Sequence, residues 1–495
     1  METLFTIQPL IAILMPLLAA VMIIIFSKNP NIREAWSVLC GVALFLIVLS
    51  MLPDILAGKM IQYTVVEMLP DIPIQFKVDA FGELFGLTSS FLWIFTTFYS
   101  IGYMRSLNEH AQTRYFFCFA IAIVGAIGLA FSANLFTLFI FYEVITVSTY
   151  PLVAHNETPE AKSGARKYLL YLMTAGVFLL FSTITVYYYT GTTDFAFNGI
   201  LEGHGIPDLM LKILFVTFMI GSAKAAVMPL HSWLPSAMVA PTPVSALLHA
   251  VAVVKAGVFT VTRVVLYVFG VDLLQVTGIG LAMAYVACFT IILASIYAMT
   301  QDNLKMRLAY STVSQLSYIV LGVCMLTPAG ITGGMLHIPS HAFMKITLFM
   351  CAGAIIVTAK MNNISEMNGI GRKMPVTMLA FTVGALGMAG FPPVAGFISK
   401  WYLLLGSVEI NQMPILIVLL ASALLNVGYF FPVIYVAFFK KPEKELTFGE
   451  AHPCMLVPLT ITAIGSLILG IWPDAPYLFL QLVNVAVQNV TGGGF

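Results

Sequence analysis

Apolar stretches of about 20 residues, each long enough to cross ~30 Å of hydrocarbon, recur from one end of this sequence to the other. Fourteen are legible, near residues 7–27, 36–56, 80–103, 115–132, 134–154, 166–189, 209–229, 243–270, 274–298, 308–327, 329–358, 376–403, 412–438 and 454–473. None alternates strictly, and lipid offers no partner to an open strand edge, so the runs are expected to be helices. The predicted fold class is an all-α polytopic membrane protein, a single membrane domain over residues 1–495. Only the stretch from Gln62 to Val78 alternates, loosely and with prolines at 70 and 73, which makes it a candidate external β-hairpin.

Two runs are interrupted. The seventh passes Lys224 and then meets Pro229, Pro235, Pro241 and Pro243, while the twelfth carries Gly387, Gly390, Pro392, Pro393 and Gly396 ahead of Lys400. Proline removes a backbone donor and clashes with the preceding turn, and in lipid the freed groups are tolerated only where protein or a wet cavity satisfies them. A pair of such segments, one in each half, points to an inverted-repeat transporter with its site near the midplane. Runs four to eight (about 115–270) and nine to thirteen (about 274–438) then make two five-helix units, flanked by helices over 7–103 and 454–473. Because five is odd, the two units start on opposite faces, and the repeats are expected to be inverted.

The composition, 60% hydrophobic and 9% charged, leaves no extramembrane piece much longer than about twenty residues. A soluble redox or nucleotide-hydrolysing activity is therefore expected only in partner chains, with no catalytic chemistry in this one. Of the 23 Lys and Arg, fifteen, Lys444 among them, fall in odd-numbered loops; Lys59, Lys77, Lys212 and Arg263 lie in or beside even-numbered ones. By the positive-inside rule the odd loops are cytoplasmic and both termini external, in line with the acidic start Met1, Glu2. The first run has no basic n-region or small-residue cleavage site and reads as a retained helix. A net charge of +1 gives no support for a nucleic-acid partner. Cys40, Cys118, Cys288, Cys324, Cys351 and Cys454 are scattered with no CxxC pair, so neither an iron–sulfur cofactor nor structural zinc is expected.

A charge at bilayer depth costs roughly 2.5–3.5 kcal/mol on insertion scales, so such a residue is read first as part of an ion or proton path. Glu143, Lys224, Lys255, Lys345 and Lys400 meet that description. Glu143 sits about halfway along the fifth run, with Lys224 as its candidate partner; the plain alternative is a structural ion pair. Lys255 follows His249 by six residues, which on a regular helix turns the two side chains about 120° apart over ~9 Å of rise; a snorkelling lysine is the rival reading. His337, His341 and Lys345 fall at i, i+4 and i+8, one helix face at about 6 Å per step, with Pro339 between the histidines. HxxxH spacing also suits zinc, but the Glu of HExxH is missing and no third ligand is evident. A bis-histidine haem between His249 and His341 lacks a second ordered pair. Lys400 closes a row that runs Glu143, Lys224, Lys255, His341 and Lys345, Lys400.

The segments FYEVITVSTYPL, PLHSWLP, APTPVSALLHAVAVVKAG, HIPSHAFMK and FPPVAGFISKW occur in that order. Together they make nearly the whole chain resemble the antiporter-like subunit family, shared by complex I (NADH:quinone oxidoreductase), membrane-bound hydrogenases and Mrp-type multisubunit cation/proton antiporters. The resemblance implies a fourteen-helix subunit with two inverted repeats and a hydrated polar axis across the middle of the membrane. On that axis Glu143, Lys224, Lys255, the group His337, His341 and Lys345, and Lys400 take the family's proton-transfer positions. Lys400 stands where M-type complex I subunits carry glutamate, and Ser236 follows WLP where many relatives carry an acidic residue. The stretch AMVAPTPVSALLH looks most like the large A-type Mrp and L-type complex I subunits, whose long C-terminal extension has no counterpart in these 495 residues. The chain is thus similar to a D-type Mrp subunit of a bacterial or archaeal cell membrane, with other membrane subunits as partners and protons moved against Na+ or K+. The alternative it implies is the proton-pumping subunit of a complex I-like enzyme or hydrogenase.

Overall fold

A computed structural model describes residues 2–69, 72–442, 447–473 and 479–492. Met1, Pro70 and Lys444, on which the sequence reading also draws, lie outside the described residues. Helices occupy all fourteen runs: α1 Gln8–Ile25, α2 Pro30–Leu56, α3 Ala80–Ser106, α4 Gln112–Ala130, α5 Leu135–Val153, α6 Pro159–Thr190 and α7 Asp208–Gly221. There follow α8 Thr242–Phe269, α9 Ile279–Thr300, α10 Leu304–Cys324, α11 Pro328–Ala359, α12 Pro375–Ala389, α13 Ala395–Glu409, α14 Met413–Phe438 and α15 Pro453–Ile471.

Among the described residues eleven helices are long and apolar enough to cross a membrane unaided, fewer than the fourteen runs. The seventh run ends as a helix at Gly221, and the twelfth splits into α12 and α13 around residues 390–394. The tenth, α10, is continuous, but Lys305, Arg307, Gln315, three serines and a threonine make it polar. A further helix, α16 Phe479–Thr491, was not among the predicted runs. It is too short to span at 1.5 Å per residue; it lays Leu482, Val483, Ala486 and Val487 against the protein, and its Phe479 ring lies 6.4 Å from that of Phe343 in α11.

The candidate hairpin is present. Strand β2 Met60–Leu69 pairs antiparallel with β3 Ile72–Val78, Ile61 opposite Val78, and a short β1 Thr3–Phe5 adds in parallel on the other edge of β2. The hairpin leads directly into α3, whose N-cap Asp79 accepts from the Gly82 N–H at 2.8 Å and satisfies one of the orphan donors of the first turn.

Burial sorts the helices into shell and core. The most apolar windows of α1, α2, α14 and α15 are only 33–39% buried, which leaves wide faces for lipid, whereas that of α8 is entirely enclosed and that of α11 is 78% buried. The charged motifs around Lys255 and around His341 therefore sit on two largely enclosed helices, α8 and α11. The α8 helix is not regular: Leu247–Val251 and Val264–Phe269 are π-helical turns on either side of an α-helical middle.

A polar axis as candidate functional site

The first break lies against α5. That helix starts at Asn134, whose side chain accepts from the Thr137 N–H at 2.7 Å, and it carries Glu143 near its middle. Past Gly221 the chain tightens into a 3-10 turn, Ala223–Ala225, and then runs irregularly to α8 apart from single turns. The freed backbone groups find protein partners. The Tyr142 hydroxyl donates to the Gly221 carbonyl at 2.9 Å, Trp233 Nε1 donates to the Ala223 carbonyl at 3.0 Å, and Thr290 Oγ1 accepts from the Met228 N–H at 3.2 Å. Irregular backbone at membrane depth survives under this condition.

Lys224 lies in that turn, fully buried. Its ammonium sits 3.4 Å from the centroid of the Tyr142 ring and donates to the Tyr142 carbonyl. It thus meets the residue beside Glu143, and the expected direct pair with the carboxylate is not made: neither Glu143 oxygen has a hydrogen-bond partner. The carboxylate is turned towards α6, where Gly176 leaves the room; a Cβ at that position would overlap Glu143 Oε1.

The second group of side chains is joined by hydrogen bonds. Lys255 on α8 reaches His341 on α11, Nζ to Nδ1, at 2.7 Å. His341 and His337 stack at 5.9 Å between ring centroids, because α11 runs on unbroken through Pro339. His337 Nδ1 lies 2.8 Å from Ser399 Oγ on α13 and its Nε2 3.1 Å from Gln315 Oε1 on α10. Lys345, one turn further on, donates to Ser311 Oγ at 2.5 Å and to the Leu308 carbonyl at 3.3 Å. Lys400 donates to the Met388 carbonyl at 2.6 Å, at the broken end of α12, and lies 5.0 Å from the Tyr318 ring. It is 8% exposed, whereas Lys224, Lys255 and Lys345 are completely enclosed.

His249 stands apart. Its ring lies 4.7 Å from that of Phe349, and neither nitrogen has a hydrogen-bond partner. It and Lys255 take different partners, as the spacing suggested, although the π-helical turn at Leu247–Val251 removes the regular geometry on which that expectation was based.

Sequence reasoning missed the neutral part of this network. Gln315 Nε2 donates to Asn426 Oδ1 at 3.2 Å, Asn426 Nδ2 donates to the Tyr318 hydroxyl at 3.4 Å, and Tyr318 and Ser422 share a short hydroxyl pair. Ser311, Gln315 and Tyr318 fall at i, i+4 and i+7, one face of α10, so the signal was present but carried no charge. Arg263 was misplaced. The charge count put it in or beside an even-numbered loop, although the predicted run 243–270 already enclosed it; it lies inside α8 and is 2% exposed. It forks onto Asp79, NH1 to Oδ2 at 2.5 Å and NH2 to Oδ1 at 2.6 Å, and lies 4.4 Å from the centroid of the Tyr267 ring. Such a bidentate pair satisfies both charges at once, and it ties the entry of α3 to the end of α8. Glu83, one turn into α3, is completely buried with neither oxygen hydrogen-bonded. Lys305, counted as a loop residue, donates from Nζ to the Ala240 carbonyl at 2.6 Å and holds the exit of the first break.

Residues 132–425, which include every residue of this axis, match the family described as NADH:quinone oxidoreductase/Mrp antiporter, transmembrane. The chain is 30% identical over 511 aligned positions to NADH-quinone oxidoreductase subunit N of Desulforudis audaxviator, covering 97% of both chains. It is also 30% identical to Na(+)/H(+) antiporter subunit A1 of Staphylococcus saprophyticus, over 94% of this chain but 60% of that longer protein. Among solved structures, a chain of the membrane-bound sulfane sulfur reductase, an archaeal respiratory membrane complex, superposes with a TM-score of 0.88 at 24% identity over 98% of each chain, which establishes the likeness of fold. On the extent of these matches, the chain is a polytopic membrane protein that belongs to the NADH:quinone oxidoreductase/Mrp antiporter transmembrane family.

Proposed function

We propose that this chain is the proton-translocating subunit of a multisubunit cation/proton antiporter of the Mrp type, exchanging protons for Na+ or K+. Protons pass along Glu143, Lys224, Lys255, His341, His337 and Lys400, with Lys345 and His249 as side stations. The observation that carries this reading is the 2.7 Å contact between Lys255 Nζ and His341 Nδ1. It joins the last helix of the first five-helix unit to the third helix of the second, and a proton held by either nitrogen can pass to the other directly. The two units, about 115–270 and 274–438, are taken as inverted repeats, with the Lys- and Arg-rich loops cytoplasmic and both termini outside. The partners are other membrane subunits, and no cofactor is assigned to this chain.

The test is proton flux in vesicles that hold the complete native complex, driven by an imposed Na+ or K+ gradient. His341→Ala is expected to stop flux with assembly intact; wild-type flux in that variant would break the axis at its centre. One observation favours a second reading, a proton-pumping subunit of a redox-driven complex: the match to subunit N extends over 97% of both chains. Mass spectrometry of the complex purified with all its partners separates the two, since small antiporter subunits support the first and flavin or nickel–iron modules the second.

A further inference from the structure

Away from the axis, the loop between α3 and α4 meets the loop between α5 and α6 at Glu109, His110 and His155. One donor atom from each lies within 4.8 Å of the other two: Glu109 Oε2 is 3.7 Å from His110 Nδ1 and 3.9 Å from His155 Nε2. The two imidazoles are 4.7 Å apart. His155 is fully buried, yet neither of its nitrogens makes a well-formed hydrogen bond. A buried polar group without a partner carries a desolvation cost, and here Nε2 is aimed at the Glu109 carboxylate. The ring of Tyr115, edge-on at 5.7 Å, holds the imidazole in that direction. On the opposite side the site is open, because the His110 side chain is 49% exposed.

Two imidazoles and a carboxylate with an open fourth position are the donor set of a borderline divalent metal such as Zn2+. Tetrahedral bonds of ~2.0–2.1 Å place donors roughly 3.3 Å apart, so the separations seen close with small rotations of the two solvent-facing side chains, Glu109 and His110. The neighbouring positive charge, Arg114, is already engaged at 2.7 Å by Glu157. Glu157 Oε1 also lies 3.9 Å from His110 Nε2, on the ring edge away from Glu109, and leaves Nδ1 free to face the carboxylate.

We propose that Glu109, His110 and His155 form a binding site for a divalent transition metal of the Zn2+ class, which staples the α3–α4 loop to the end of α5, the helix of Glu143. The three residues come from two loops, so no spacing motif announces them. Full-length protein, purified with chelator and then dialysed against Zn2+ alone, is expected to retain one metal per chain by elemental analysis and to unfold at a higher temperature. His110→Ala and His155→Ala are each expected to weaken Zn2+ affinity about tenfold or more. Should His155→Ala fail to fold, the partly exposed His110 carries the test, because its removal leaves the buried His155 ring in place. Less than one bound metal per wild-type chain, or wild-type affinity in His110→Ala, overturns the site.

Discussion

Around the first break a lysine is lodged beside a carboxylate-bearing helix, whereas around the second every ionisable side chain of the axis is basic. Lys224 spends its hydrogen bond on a backbone carbonyl and its charge on the Tyr142 ring, and Glu143 lies next to it with no hydrogen bond at all. From α8 onward, by contrast, Lys255, His341, His337 and Lys345 are each bonded to a named side chain, and Gln315, Ser399, Asn426 and Tyr318 fill the gaps. The first region sets an acid near a base in a loose setting. The second holds bases alone in a bonded one. Since like charges in a low-dielectric interior repel strongly, the proposed path would carry few protons at a time through the second region, with the acid of the first as the group that regulates how many enter.

That contrast makes Glu143 the most sensitive position. Glu143→Ala is expected to lower proton flux by roughly 100-fold or more, the scale of losing a proton-transfer group, with Glu143→Asp retaining part and assembly unchanged. Combined with Lys224→Ala in a double-mutant cycle, the losses should fall short of additive by about 1 kcal/mol or more; additive losses would show that the nearness of Lys224 to the Tyr142–Glu143 turn of α5 does not couple the two groups.

In the second region the proposed path requires a titratable group and not a basic charge as such. Lys400→Glu should keep measurable flux in vesicles with a displaced pH profile, and Lys400→Leu should lose most of it at matched expression. Equal activity of Lys400→Leu and wild type would remove Lys400 from the path and leave it as a cap on the Met388 carbonyl.

A smaller effect is expected at Gly176, where an added Cβ meets the Glu143 carboxylate. Gly176→Ala should reduce flux severalfold and leave the unfolding temperature nearly unchanged, because only the acid is displaced. Unaltered flux would mean that the loose setting of Glu143 has no role.

The smallest lies outside both breaks and serves as their control. Burial, with the charges of His110 and Arg114 adding to it, lowers the His155 pKa to about 4, against about 6.5 for a free imidazole. Between those values the unfolded chain binds the proton and the folded one does not, so stability is present above about 6.5 and falls as the pH drops towards 4. Thermal unfolding of metal-free protein should decline less over that window in His155→Phe than in wild type. Identical declines would show that His155 is not held neutral.

Much of this was legible in the residues. Runs of about 20 apolar residues, prolines that cannot continue a helix and charges that lipid does not tolerate act locally, so the helical runs, both breaks and the buried ionisable groups in them could be named without a structure. The hairpin from Gln62 to Val78 belongs with them, since alternation is a property of one strand. Other features needed the chain folded. The π-helical turns of α8 set which way Lys255 points, and nothing in HAVAVVKAG announces them. Arg263 was counted with the loop charges, and only the fold shows that Asp79, far back in the chain, offers it a carboxylate. The neutral bridge of Gln315, Asn426 and Tyr318 carries no charge and so raised no signal. Sequence by itself determined which groups lie at membrane depth, because that follows from the cost of each group in hydrocarbon. Only tertiary structure decided which of them meet, because a hydrogen bond of about 3 Å depends on how separate helices are turned and packed, and no single segment contains that information.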